Sequence, residues 1–139
     1  MGPGRLRQGA RGLGLSAVEI VRGYLDAFAS GDPDAVAAFV ADDFVNEHTA
    51  ALGSGCTGIE EYRRRLPGFL SSMPQLQYEV EDVIAEGDRV CAAYTLHAVV
   101  NDRPIAVRGM MRFDIAGDRV ARRVDYWDSL VFQRQAGLA

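Results

Sequence analysis

Apolar and polar residues follow two different rhythms along this chain. From Ser16 to about Met73 the apolar positions recur every three or four residues; from Gln75 to Trp127 they alternate. The first rhythm predicts helices and the second predicts strands. In "SAVEIVRGYLDAFASGD", Val18, Val21, Leu25 and Phe28 stand at helical spacing with Tyr24 beside them. Ser16 and Glu19 form an S-x-x-E capping box at the start, and Gly31 ends the helix. "DPDAVAAFVAD" predicts a second helix, with Asp32 as its cap and Pro33 at its first position. "DFVNEH" alternates as a short strand, with Phe44, Asn46 and His48 on one face. The loop "TAALGSGCTG" is glycine-rich and expected to be mobile. Thr57 and Glu60 predict a capping box for the helix "GIEEYRRRLPGFLSSM", which Pro67 is expected to kink or end.

The alternating half predicts four strands, at about 76–86, 88–101, 104–115 and 118–127, joined by the turns "EGD", "NDRP" and "AGD". Turns this short make an antiparallel meander. Helices followed by a sheet imply an α+β fold with the helices on one face. Alternation sorts side chains into two sets per strand. Val90, Ala92, Tyr94, Leu96 and Ala98 share a face, opposite Cys91, Ala93, Thr95, His97 and Val99. Ile105, Val107, Gly109, Met111 and Phe113 oppose Arg108, Met110 and Arg112, and Ala121, Arg123, Asp125 and Trp127 oppose Val120, Arg122, Val124 and Tyr126. Both sets carry apolar and charged groups, so periodicity alone leaves open which one is inside.

Composition narrows the function classes. A chain of 139 residues with 48% hydrophobic and 24% charged positions is expected to form one globular domain, residues 16–139, after a Gly/Arg-rich flexible tail over 1–15. A net charge of −4 argues against nucleic acid as a partner. No apolar run reaches membrane-spanning length. Cys56 and Cys91 are far apart, Cys91 is expected in the core, and a reducing cytoplasm is the simplest location. No phosphate loop, nucleophile motif or metal-ligand spacing is present, so no cofactor or metal is expected.

Three stretches carry a family resemblance: "YLDAFASGDPDAVAAFVADDFV", "GCTGIEEYRRRL" and "MRFDIAGDRVARRVDYWD". With the strands between them, residues 16 to about 135 resemble the nuclear transport factor 2-like superfamily, in its SnoaL-like polyketide cyclase branch. Asp43, Phe44 and Asn46 match that branch's D-F/Y-x-N strand. Arg123, Asp125, Trp127 and Asp128 approximate its R-x-D-x-W/F-x-D ending, with spacing that is not identical.

The resemblance implies a cone: a curved antiparallel sheet, of cystatin-like roll type, wrapped on the N-terminal helices and open at one end. It points Asp125 into the resulting pocket. Tyr94, Leu96, Gly109, Met111, Phe113 and Trp127 would line that pocket from the sheet, and Tyr24, Phe28, Asn46 and His48 from the other side. It implies a homodimer packed sheet to sheet, a small hydrophobic molecule as partner, and a cofactor-free cyclase- or isomerase-type reaction on a carbonyl compound. Asp125 would be the general acid/base, because a carboxylate walled by Trp127 and Met111 loses hydration and its pKa rises. His48 stands near the place where steroid isomerases of this fold carry their catalytic aspartate, and Tyr24 at the place of their oxyanion tyrosine. Their second acid is replaced by Gly109. Asn46 and Tyr94 would position the ligand. Asp128 is expected to cap a helix or turn, and His97 to face away.

Two readings stand beside this one. Asp125 is alternatively a strand carboxylate neutralised by Arg123 or Arg108, in which case the domain is a non-catalytic binding module. An epoxide hydrolase-like enzyme is the other, although Tyr94 and Leu96 stand where the limonene-type enzymes of this fold place an Arg and an Asp.

Overall fold

Ser16 opens the first helix as its spacing predicts. Its hydroxyl accepts from the Glu19 amide at 3.1 Å, while the Glu19 carboxylate accepts from the Ser16 amide at 2.9 Å. The computed structural model describes residues 15–139, so the expectation of a flexible tail falls outside the described residues except at Leu15, which packs against the core. Helix α1 (Ala17–Ala27) buries Ala17, Ile20, Val21, Tyr24 and Leu25. Ile20, rather than the expected Val18, completes the buried stripe. A single 3-10 turn (Phe28–Ser30) follows, and Gly31 takes φ 70°. Asp32 caps the short helix α2 (Pro33–Ala37) through the Asp34 amide.

Strand β1 (Val40–His48) begins three residues before the predicted strand, and β2 (Cys56–Thr57) pairs antiparallel with it. Helix α3 (Ile59–Ser72) departs from expectation at its start. Its N-cap is Gly58 at φ 92°, with no side-chain cap. Thr57 is committed to β2 opposite Val45, so the Thr57–Glu60 box does not form. Pro67 lies inside the helix and does not end it. A proline within a helix costs about 3 kcal/mol. The turns beyond it pack Phe69, Leu70 and Met73 on the core, which offsets that loss.

The meander forms as predicted: β3 (Gln77–Glu86), β4 (Arg89–Val100), β5 (Arg103–Ala116) and β6 (Arg119–Trp127). Asn101 and Asp102 turn β4 into β5, both with positive φ as a two-residue hairpin requires. The sheet order is β2-β1-β6-β5-β4-β3. The pairing is not antiparallel throughout, because β1 runs parallel to β6, with Asn46 beside Arg123 and His48 beside Asp125. Register shifts in the β1–β6, β3–β4 and β5–β6 pairs increase the local twist and curve this unclosed sheet around the helices.

The inner face carries Val90, Ala92, Tyr94, Ala98, Ile105, Val107, Met111 and Phe113, all buried. The outer face carries polar pairs: Glu81 accepts from Arg108 at 2.6 Å, and Glu79 shares a hydrogen bond with His97 at 2.8 Å. Cys91 stands half-buried on this outer face instead of in the core, since its neighbours Val90 and Ala92 take the inward positions. A helix not predicted from the sequence, α4 (Ser129–Gln135), follows β6. Asp128 caps it by accepting from the amides of Leu130 and Val131.

Candidate functional site

A cavity of about 500 Å³ opens between the concave face of the sheet, helix α3 and helix α4. Such a volume suits a small organic ligand. Its walls are Phe28, Leu66, Phe69 and Met73 on the helical side, Leu96 and Val107 on the sheet, and Leu52, Trp127 and Phe132 nearer the C-terminal helix. Helix α4 places Phe132 edge-on to Trp127, with ring centroids 6.1 Å apart. The loop between β1 and β2 also contributes. It hugs β1 closely: a Cβ at Gly53 would stand 2.3 Å from that of His48. Glycine there permits this close approach.

Polar groups gather at one part of this lining. Asp125 is only 3% exposed and still lines the cavity. Tyr94 donates to its Oδ1 at 2.6 Å, and Arg123 donates from Nη2 to its Oδ2 at 3.2 Å. Burial raises the Asp125 pKa above its ordinary value, and the bonds from Arg123 and Tyr94 pull part of the way back. A carboxylate has about four lone-pair sites. Two are used here.

Arg123 is 4% exposed and spends its donors on fixed partners. Besides Asp125 these are the Tyr24 Oη at 3.3 Å, the Tyr78 Oη at 3.4 Å and the Met111 sulfur at 3.3 Å. Its guanidinium also lies over the rings of Tyr24 and Phe28, 5.8 and 5.7 Å from their centroids. Tyr24 and Tyr62 share a short hydrogen bond between their hydroxyls. Burial pushes the phenols of Tyr24, Tyr62, Tyr78 and Tyr94 upward, so all four stay protonated.

His48 is neutral. Burial first, and the positive charge of Arg123 second, lower its pKa to about 4. Trp127 donates from Nε1 to its Nδ1 at 3.1 Å, which assigns the ring proton to Nε2. Nδ1 lies 3.7 Å from Asp125 Oδ2, with the Trp127 bond already on it. Two acceptors facing each other at that distance make neither a salt bridge nor a proton-transfer pair. Asn46 is 9% exposed and lines the cavity, and its Oδ1 has no hydrogen-bond partner.

Of the residues singled out in the sequence, Asp125, His48, Asn46, Phe28, Tyr94, Leu96 and Trp127 line the cavity. Tyr24, Met111 and Phe113 do not. They are fully buried behind its wall, where Phe113 packs on Tyr24 and Met111 accepts from Arg123. The inward face of β5 continues past the cavity into the solid core, so facing inward did not suffice. Tyr62 and Tyr78 were not singled out, and Arg123 was singled out only for its motif and as the alternative ion partner of Asp125, not as a cavity residue. Arg123 shares a face with Asp125 by alternation, a usable signal; Tyr62 and Tyr78 lie on α3 and β3, and nothing in their local spacing distinguishes them from core tyrosines. Arg108 pairs with Glu81 outside. Among the described residues no cluster of three or more His, Cys, Asp or Glu is placed to hold a metal, and no helix is long and apolar enough to cross a membrane.

The sequence pattern of the SnoaL-like domain matches residues 21–123. No curated protein matches the chain. Among solved structures, a hypothetical protein of ketosteroid isomerase-like fold from Catenulispora acidiphila, in complex with trimethylamine, superposes with a TM-score of 0.80. It is 20% identical, over 87% of this chain and 94% of its own. A limonene epoxide hydrolase-like epoxide hydrolase from Mycobacterium tuberculosis gives 0.74 at 21% identity, over 86% and 88%. A candidate polyketide cyclase from Xanthomonas campestris pv. campestris gives 0.73 at 24% identity, over 91% and 98%. At these identities the three share the fold.

Proposed function

Because the chain belongs to the SnoaL-like domain family, we propose that its cavity is the active site of a cofactor-free cyclase- or isomerase-type enzyme, in which Asp125 removes a proton next to the carbonyl of a hydrophobic substrate. One observation carries this reading: a carboxylate almost fully withdrawn from water borders an open cavity, held at both oxygens by fixed donors. Burial makes it a stronger base than an exposed aspartate. Tyr94 and Arg123 hold it in one orientation.

Arg123 adds an electrostatic contribution. Before reaction the Arg123–Asp125 pair is neutral overall. Once Asp125 has taken the proton, the guanidinium charge is uncompensated and faces the enolate just formed. Stabilisation that grows as charge develops lowers the barrier instead of merely tightening substrate binding. Asn46 Oδ1, buried without a partner, supports a substrate that also carries a hydroxyl or N–H donor. His48, neutral and tied to Trp127, holds the wall and does not accept the proton.

The test is exchange of the α-hydrogens of apolar aryl ketones with D2O, followed by NMR. Asp125→Asn leaves the Arg123 charge uncompensated and should lose stability, so exchange is compared per folded molecule, where it should fall by about 10³-fold, the scale of a general base. Exchange at the wild-type rate in that variant removes Asp125 from the reaction.

The same unpartnered Asn46 oxygen favours a second reading, hydrolysis. A water donating to both Asn46 and Asp125 would be a nucleophile in waiting, as an epoxide hydrolase requires. Hydrolysis of a terpene-sized epoxide, lost in both Asp125→Asn and Asn46→Ala, would select this reading over the first.

A further inference from the structure

We propose that the phenols of Tyr62 and Tyr78, backed by the single guanidinium of Arg123, form a two-donor site for the carbonyl oxygen of the cavity's ligand. This rests on the carbonyl chemistry proposed above and assigns the substrate oxygen a place.

Proton bookkeeping carries the inference. Arg123 Nη1 donates to the Tyr24 oxygen, so that oxygen is an acceptor in this bond. Tyr24 is fully buried, and among the described residues the only acceptor within reach of its own O–H is Tyr62. Donation in the opposite sense would strand the Tyr24 hydrogen in the core, with the full penalty of an unmade buried hydrogen bond. The bond therefore runs from Tyr24 to Tyr62. Tyr62 lines the cavity, and among the described residues no acceptor remains for its own hydrogen. Tyr78 reaches the same condition directly. Its oxygen accepts from Arg123 Nη2, it lines the cavity, and its hydrogen has no protein acceptor among the described residues.

Two cavity-lining phenols thus keep unspent donors, and both are polarised by one positive charge, Tyr78 directly and Tyr62 through Tyr24. Hydrogen bonds in series strengthen one another in a site shielded from water. Tyr94 differs: its hydrogen is spent on Asp125. A carbonyl oxygen bonded to these phenols would gain negative charge while Asp125, bonded to the same guanidinium, takes the proton.

The test uses 2-acetylnaphthalene, 13C-labelled at its carbonyl, with 2-ethylnaphthalene as an isostere lacking the oxygen. Affinities are read by fluorescence titration and the bound carbonyl stretch by isotope-edited infrared spectroscopy. Wild-type protein should bind the ketone about tenfold more tightly than the hydrocarbon, the scale of a net hydrogen bond or two. The bound stretch should fall below its frequency in hexane. Tyr62→Phe and Tyr78→Phe should each move it back toward hexane, and Tyr94→Phe should leave it in place. Failure of the ketone to bind, or a wild-type stretch at the hexane frequency, overturns the proposal, as does a stretch unmoved by both substitutions. Because the wild-type spectrum alone can overturn it, a variant that fails to fold does not shield the idea. A lowered stretch combined with no proton exchange would retain this site and discard Asp125 as the base, so the two failures are separable.

Discussion

The Tyr94 hydroxyl donates to Asp125 Oδ1 across an empty position: Gly109 on β5 lies opposite Tyr94 of β4 and opposite Trp127 of β6. A Cβ at Gly109 would stand 2.4 Å from the Tyr94 Oη and 2.8 Å from the Tyr126 carbonyl oxygen. Neither distance is tolerable, and the carbonyl cannot swing aside. The glycine that seemed to mark a missing acid is the space through which Tyr94 reaches the carboxylate.

Gly109→Ala is therefore expected to push Tyr94 off Asp125. The lost bond was lowering the Asp125 pKa, so that pKa should rise further. The basic form would then appear at higher pH, and the acidic limb of the pH–rate profile should move up. Tyr94→Phe should move the limb in the same direction without the steric cost. A profile unchanged in both variants would show that the bond does not tune the base.

The Arg123–Asp125 pair predicts strong coupling in stability. Both partners are under 5% exposed. Removing one member of such a buried pair costs about 3–5 kcal/mol, because the other charge is left uncompensated. Arg123→Met should lose that much in urea unfolding. Adding Asp125→Asn should recover part of the loss, since the stranded carboxylate is then gone. Simple additivity of the two substitutions would mean the ion pair contributes nothing specific.

His48 predicts a pH window. Its folded pKa of about 4 lies below the ordinary value of 6.5. The unfolded chain thus binds the extra proton first as pH falls. The stability that a neutral His48 contributes is complete above pH 6.5 and is lost progressively down to about 4. The ceiling on that loss is about 3 kcal/mol, less in practice because the ring is partly exposed. Asp125, with its raised pKa, acts in the opposite sense: its protonation on acidification favours the folded state. His48→Gln should flatten the dependence of the urea midpoint between pH 6.5 and 4. An equally steep dependence in the variant would place its origin elsewhere.

Much of the fold is legible in local spacing. The four meander strands, the Ser16 capping box and the Asp128 cap each depend on residues a few positions apart, and they form as their spacing predicts. Alternation also placed Arg123, Asp125 and Trp127 on one face. It left their surroundings open, because what a side chain meets across a sheet is not written in its own strand. Asp125 was foreseen either as a base or as an ion-pair partner of Arg123, and the structure makes it a partner of Arg123 at the border of a cavity.

What the sequence determined by itself was the order of the elements up to β6, the turns between strands and the alternating faces, since these follow from backbone geometry over a few residues; the inward direction of Asp125 came from the family resemblance. Tertiary structure alone decided the rest. The parallel pairing of β1 with β6 set His48 beside Asp125, and the curvature of the sheet divided its inner face into cavity at Leu96 and solid core at Phe113. The packing of α1, α3 and β3 then brought Tyr24, Tyr62 and Tyr78 around one guanidinium. Those partners are separated by up to 99 positions in the chain, and no local pattern records a contact that only long-range packing makes.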